Sequence, residues 1–310
     1  MSPEVTHLRH APREIAIAIE PRSAGLKSHC CKLRSVLVST NPPRRAKILS
    51  MSDWFHNLPI VWMALLVFGF TYLLSAGIYI VVMTLAVGDR ARSFKSVSPG
   101  MLPPLGIIFG LFVGFTAAQV WSDNDRAVAA VDREASELRS AVILAAAFPG
   151  EPETRLRALI SSCIADATGQ EWPLMSHRAI TWKVPHAMAD AVQLTLGLQP
   201  TSPGQQIAQR GIATALENAM DARRQRLMVS QAQVSVVKWC CIYLQAVCAL
   251  IAIAMVHSDN RLASASMLFI FATGVAAAVL LIAAYDRPFI GDVSVRSDPL
   301  LQVMPAADRN

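Results

Sequence analysis

Four stretches of this 310-residue chain contain no Asp, Glu, Lys, Arg or His: Leu58 to Val87, Met101 to Trp121, Trp239 to Val256 and Leu262 to Tyr285. Charge is scarce overall, at 16% of residues against roughly 25% in an ordinary soluble domain. A buried core does not demand uncharged runs of this length, whereas a helix crossing the bilayer hydrocarbon needs about 20 apolar residues. The absence of ionisable groups inside the runs also argues against a proton-coupled pump or transporter, which uses intramembrane acids, bases or histidines.

Further absences narrow the function. None of the six cysteines, Cys30, Cys31, Cys163, Cys240, Cys241 and Cys248, forms a CxxC, so neither a zinc site nor a disulfide framework is expected. There is no HExxH, no phosphate-binding loop and no paired carboxylate motif. Cys163, Asp166 and His177 lie close in sequence, but Cys163 falls on the apolar face of its helix and lacks the setting of a nucleophile. The chain is therefore not expected to be an enzyme, and no cofactor or metal is expected. The net charge of +6 is not arranged as bases interleaved with aromatics on a soluble face, so nucleic acid is not an expected partner.

The bases follow membrane topology instead. Lys32, Arg34, Arg44, Arg45 and Lys47 precede the first run; Arg126, Arg133, Arg139, Arg223, Arg224, Arg226 and Lys238 flank the segment between the second and third; Arg287 and Arg296 follow the last. The two short hairpin loops hold fewer, namely Arg90, Arg92, Lys95 and Arg261. The positive-inside bias then puts both termini and the central segment in the cytoplasm, in a multi-pass protein of the cell inner membrane. The fold class is an all-α membrane protein with four transmembrane helices and a cytoplasmic helical domain between spans two and three.

The expected divisions are a disordered N-terminal extension over residues 1–50, a transmembrane hairpin over 51–121 with spans at 58–87 and 101–121, a cytoplasmic helical domain over 122–233, a second hairpin over 234–285 with spans at 239–256 and 262–285, and a cytoplasmic tail over 286–310. The extension is rich in Pro, Arg, Ser and His without apolar periodicity, and Met51 is a plausible translation start. Past Trp121, the spacing of Val128, Val131, Ala135, Leu138 and Val142 predicts that the second helix continues as an amphipathic helix, ending at Phe148-Pro149-Gly150. A helix from Pro152 to Gly169 and another from Ala187 to Gly197 follow, separated by the connector EWPLMSHRAITWKVP. A last cytoplasmic helix starts near Pro203 and, with no proline before the third span, is expected to run straight into the membrane.

Pro103 and Pro104 suit a helix beginning. Gly106, Gly110 and Gly114 recur every four residues and form a bare stripe on which a neighbouring backbone can lie. Pro103, Ile107 and Leu111, also four apart, form an apolar face that could serve as a pore neck, since apolar rings gate by dewetting. Gln119, Gln245, Thr71, Thr84, Thr116 and Tyr243 read as interhelical hydrogen-bonding groups. After the fourth span, YDRPFIGDVSVRSDPL combines a helix stop at Pro288 and a turn at Gly291. Asp286, Arg287, Phe289 and Asp292 stand beside them, and the aspartates are placed to meet the cytoplasmic domain or a cation.

The segments PPLGIIFGLFVGFTAAQVWSDNDRAVAAVDREASELRSAV and DRPFIGDVSVRSDPL resemble the bacterial bestrophin-like domain family, a four-span membrane family. The resemblance covers most of Met51 to Leu300, and both segments are more distantly similar to bestrophin channels. It implies a homo-oligomer, a pentamer in those channels, whose second helices line a pore. Matching Gly110 and Trp121 to their counterparts places the implied neck at Pro103, Ile107 and Leu111, without the aromatics of the animal neck. Pro288-Phe289 matches the start of the animal calcium clasp, but the consecutive acids that follow there are missing, so calcium dependence is not carried over. The expected function is a homo-oligomeric channel for small ions in the lipid bilayer; the alternative is a non-conducting scaffold whose cytoplasmic helices bind a partner. Topology can be checked first. A cysteine at Ser96 should react with an impermeant label from outside, and one at Glu153 only after permeabilisation; the reverse pattern would mean that the basic flanks mislead.

Overall fold

The computed structural model describes residues 54–86, 99–180 and 182–304. The disorder expected for residues 1–50, the start at Met51, and Ser96 with the bases of the first hairpin loop lie outside the described residues. Among the described residues all regular structure is helical: α1 Ile60–Leu85, α2 Leu102–Ala145, α3 Glu151–Asp166, α4 Trp172–Ser176, α5 His186–Gly197, α6 Pro203–Val229, α7 Val236–Val256, α8 Arg261–Tyr285 and α9 Asp298–Leu301. Four of them, α1, α2, α7 and α8, are long and apolar enough to cross a membrane.

α2 is the longest element, at 44 residues, or about 66 Å at 1.5 Å per residue. Hydrocarbon accounts for about 20 of its residues, so its second half projects from the membrane. Pro103 and Pro104 lie in its first turn, where a missing N–H breaks no helical bond. Its membrane half buries Phe109, Ala117 and Val120 against Val67 of α1, Ile242 and Ala246 of α7, and Val275, Val279 and Ile282 of α8. Its outer half buries Ala127, Val131, Ala135, Leu138, Ala141 and Val142 against Ala208, Ile212, Ala215, Leu216 and Ala219 of α6. Alanines on both sides let these two helices approach closely. At Gly211 a Cβ would stand 2.7 Å from Leu144 Cδ1, so this position of α6 admits no side chain without a shift of Leu144.

Two stretches differ from the sequence expectations. The helix beginning at Glu151 does not stop at Gly169; it widens into a π-helical turn over Ala167–Glu171 and continues as α4, so part of the expected connector is helical. α6, expected to enter the membrane unbroken, ends at Val229, and α7 begins at Val236. No proline causes the break, because polar groups from elsewhere take over the backbone. Arg178 donates to the Gln231 carbonyl at 3.2 Å and to Gln233 Oε1 at 2.5 Å, and the Val234 amide donates to Asp286 Oδ1 at 2.5 Å. Ser235 then caps α7 by accepting from the Lys238 amide.

Inside the helical bundle between the second and third spans lies a buried ion quartet. Arg226 donates from Nε to Glu134 Oε2 at 2.7 Å and from Nη2 to Glu134 Oε1 at 3.1 Å and Glu171 Oε2 at 2.8 Å. Arg223 donates from Nε to Glu171 Oε1 at 2.8 Å and from Nη2 to the Lys183 carbonyl at 3.1 Å. The Arg226 guanidinium also lies 5.2 Å from the ring centre of Trp172, a cation–π distance. Two acids and two bases cancel formally, which lets all four stay in the core. Arg223 and Arg226, counted above as topological bases, are thus neutralised core residues. Burial pushes the Glu134 carboxyl up, with Arg226 pulling it down. Burial also opposes ionisation of Glu171, but the hydrogen bonds and charges of Arg223 and Arg226 outweigh it and hold that carboxyl below its ordinary value. Glu171 therefore adds stability at neutral pH that is lost as the pH falls below the usual carboxylate range. Cys163, buried nearby, has its thiol pushed up to about 12 by burial and then by the adjacent Asp166, so it is a protonated core residue.

Arg226→Met should cost about 3 to 5 kcal/mol, because it strands Glu134 in the core. Adding Glu134→Leu should recover most of that loss, since Arg223 and Glu171 remain paired. Thermal denaturation of the purified chain in detergent measures both; a double variant no more stable than the single one would refute the pairing.

Candidate pore-lining face and post-span turn

Within the membrane half, α2 has two sides. Phe109, Thr116, Ala117 and Val120 face the other spans and are buried. Pro103, Ile107 and Leu111 lie on the opposite side and are exposed, Ile107 at 69% and Leu111 at 57%. Phe115, at 68% exposed, belongs to the same side and was not picked out from the sequence. Gly106, Gly110 and Gly114 are exposed as well, and a Cβ at any of the three would meet nothing within 4 Å. Among the described residues, then, no backbone of the same chain lies on the glycine stripe. One side of the helix is left apolar, partly bare and uncovered from Pro103 to Ala118.

The polar residues of the spans mostly look inward to their own helices. Thr71, Thr84 and Thr116 donate to the carbonyls of Val67, Val81 and Phe112, so they do not bridge helices as the sequence reading supposed. Links between helices come from Tyr72 with Thr273 at 3.0 Å and from Lys238, whose ammonium donates to Gln119 Oε1. Tyr243 is held by ring contacts with Phe70 and Trp239. The Gln245 side-chain oxygen is buried and, among the described residues, has no hydrogen-bond partner.

The turn after α8 gathers the ends of three elements. Asp286, Arg287, Pro288, Phe289 and Ile290 are all buried. Asp286 accepts from the Val234 amide and holds its second oxygen 3.4 Å from His56 Nε2. Phe289 packs edge-on against Trp172 at 5.5 Å, which joins the turn to the same ring that Arg226 covers. Gly291 adopts φ +85°, and a Cβ there would stand 3.1 Å from the His56 carbonyl; a side chain would be strained by conformation and crowded against that backbone. Asp292 Oδ2 accepts from the Ile60 amide at 2.9 Å, at the electropositive start of α1. Both aspartates are therefore occupied by backbone amides, and among the described residues no three His, Cys, Asp or Glu gather as a metal site.

These features define a multi-pass, all-α membrane protein with a helical insert between its second and third spans. The family model for the Bestrophin-like domain matches residues 69–300, which covers most of α1, the whole of α2 to α8 and the post-span turn. The chain belongs to the bestrophin-like family. No curated protein matches it, and no solved structure does.

The quartet and the His56–Asp286 contact escaped the sequence reading. Glu134 carried a usable signal, since it lies three residues after Val131 and four before Leu138 on a row that is otherwise apolar. Its partner 92 positions away did not. Asp286→Ala strands a buried amide and should cost about 1 to 3 kcal/mol. Asp292→Ala removes an exposed cap and should cost about 1 kcal/mol. Melting of the two variants in detergent checks the order, and equal losses would show that Asp286 does no more than an ordinary cap.

Proposed function

We propose that this protein is a homo-oligomeric ion channel of the cell inner membrane, with copies of α2 arranged around a central axis and both termini in the cytoplasm. The observation that carries this reading is the uncovered apolar side of α2. The helix is embedded in a bundle, yet among the described residues nothing covers Pro103, Ile107, Leu111 and the glycine stripe. Small residues at such a position allow a second copy to approach. Aliphatic side chains projecting toward an axis form a dewetting constriction. Membership of the bestrophin-like family supports an assembly, and the resemblance to the channels implies five subunits. No catalytic role is assigned to any residue.

The test compares two substitutions on neighbouring faces. Gly110→Leu adds a side chain where two copies meet; overpacking of this kind costs about 1 to 3 kcal/mol, and the oligomer should weaken in size-exclusion chromatography. Ile107→Ala widens the neck and should raise unitary conductance in planar bilayers while the oligomer persists. Silence of the wild type and of a Leu111→Ala variant across several ions would leave the non-conducting scaffold as the better reading. An assembly defect confined to Ile107→Ala would mean that the two faces are exchanged.

A further inference from the structure

The joint between α6 and α7 is made of residues that suit a helix. Ser230 to Ser235 reads Ser-Gln-Ala-Gln-Val-Ser, with neither proline nor glycine. Helices already stand on both sides of it, so making it helical needs no new nucleus and gains about one bond for each residue fixed. The chain is broken there all the same. Ala232 to Ser235 are non-helical, and among the described residues the amides of Gln233, Ser235, Val236 and Val237 have no hydrogen-bond acceptor, although all four residues are exposed. What opposes the helix comes from outside the segment. The Arg178 guanidinium donates to the Gln231 carbonyl at 3.2 Å and to Gln233 Oε1 at 2.5 Å, and the Arg178 carbonyl accepts from Gln231 Nε2 at 3.2 Å. Arg178 makes these bonds from φ +58°, and no other non-glycine residue among those described has a positive φ. Strain of this kind persists only where the surroundings enforce it. On the membrane side, the Val234 amide donates to Asp286 Oδ1 at 2.5 Å, and the Val234 side chain is buried with Ile242 and Ile282 among the spans.

We propose that Ser230 to Ser235 is a two-state joint, broken as it stands here and helical when released, with Arg178 as the strap that keeps it broken. This goes beyond the channel reading and does not depend on it. In the helical state the four unbonded amides gain the carbonyls four positions back, those of Val229, Gln231, Ala232 and Gln233, while the Val234 amide exchanges Asp286 for the Ser230 carbonyl. Strap and helix exclude one another. Arg178 is bonded to the side chains of both Gln231 and Gln233, and in a helix two residues two apart diverge by about 200°. The Gln231 carbonyl, which Arg178 occupies, is also the acceptor that the Ser235 amide would take. The burial of Val234 and its bond to Asp286 favour the broken state as well, so the two states differ by a balance of exchanged contacts rather than by a net loss. Release would give the helical insert a second continuous shaft into the spans, beside α2.

Hydrogen exchange of the purified full chain in detergent, read by mass spectrometry on peptides covering residues 230–238, tests the joint. In the wild type the amides of Gln233, Val236 and Val237 should exchange fast, because exposed amides without acceptors are unprotected. Arg178→Ala should slow them several-fold as the freed segment turns helical. A strap with a merely structural role predicts the opposite, since losing its bonds loosens the segment. Gln233→Ala removes one hold of the strap without altering Arg178 and should slow exchange in the same direction by a smaller factor. Ser235 has φ −63°, which a proline ring accepts, whereas proline inside a helix removes a bond and clashes with the preceding turn. Ser235→Pro should therefore exchange like the wild type, and when added to Arg178→Ala it should restore fast exchange at Gln233, Val236 and Val237. Unchanged or faster exchange in both Arg178→Ala and Gln233→Ala would overturn the inference. Slow exchange that persists after Ser235→Pro is added would overturn it too, because the protection would then not come from a helix through the joint.

Discussion

A helix that leaves the bilayer without a break carries its rotation with it. α2 passes from the spans into the soluble bundle as one hydrogen-bonded rod, so the side it turns to α7 and α8 in lipid determines the side it turns to α6 outside. Phe109 and Val120 below, and Val131, Leu138 and Val142 above, are successive parts of one buried stripe. The opposite stripe, from Ile107 through Ala118 to Asp132, is for the same reason continuous. Local choices preserve that continuity: prolines only in the first turn, and alanines where α6 presses against the rod.

What surrounds the rod is held by polar contacts that a lipid-embedded bundle cannot supply by hydrophobic attraction alone. The quartet ties α2, the π turn and α6 together; Trp172 lies between Arg226 and Phe289 and passes that order on to the end of α8. Asp286 and Asp292 then fasten the α6–α7 connection and the start of α1. Membrane and soluble parts are thus joined at their common boundary through carboxylates that accept backbone amides. The buried Asp286 bond gains strength from the low dielectric in which it sits.

Much of this was legible in the sequence, and what was not has a common cause. Uncharged runs identify four spans because no other environment requires them, and the three-and-four spacing after Trp121 reveals that α2 continues. Pro103, Ile107 and Leu111 read as one face because helical geometry is local. The pairing of Glu134 with Arg226, of Glu171 with Arg223 and of Asp286 with Val234 depends on positions 52 or more residues apart, which no periodicity encodes. The break before α7 was missed for the same reason. Ser230 to Ser235 contains no helix breaker, and the backbone leaves the helix because Arg178 and Asp286 offer it other partners.

That break gives the protein two unlike joints between its helical insert and its membrane spans. One is a stiff shaft; the other is a turn followed by a few non-helical residues, pinned by a handful of side-chain bonds. A force applied to the soluble bundle would be transmitted along α2 as torque or tilt, whereas at Ser230 to Ser235 it would be taken up by peptide rotation. Any rocking of the bundle over the bilayer therefore has its pivot at the α6–α7 connection and its lever in the helix that bears Ile107 and Leu111.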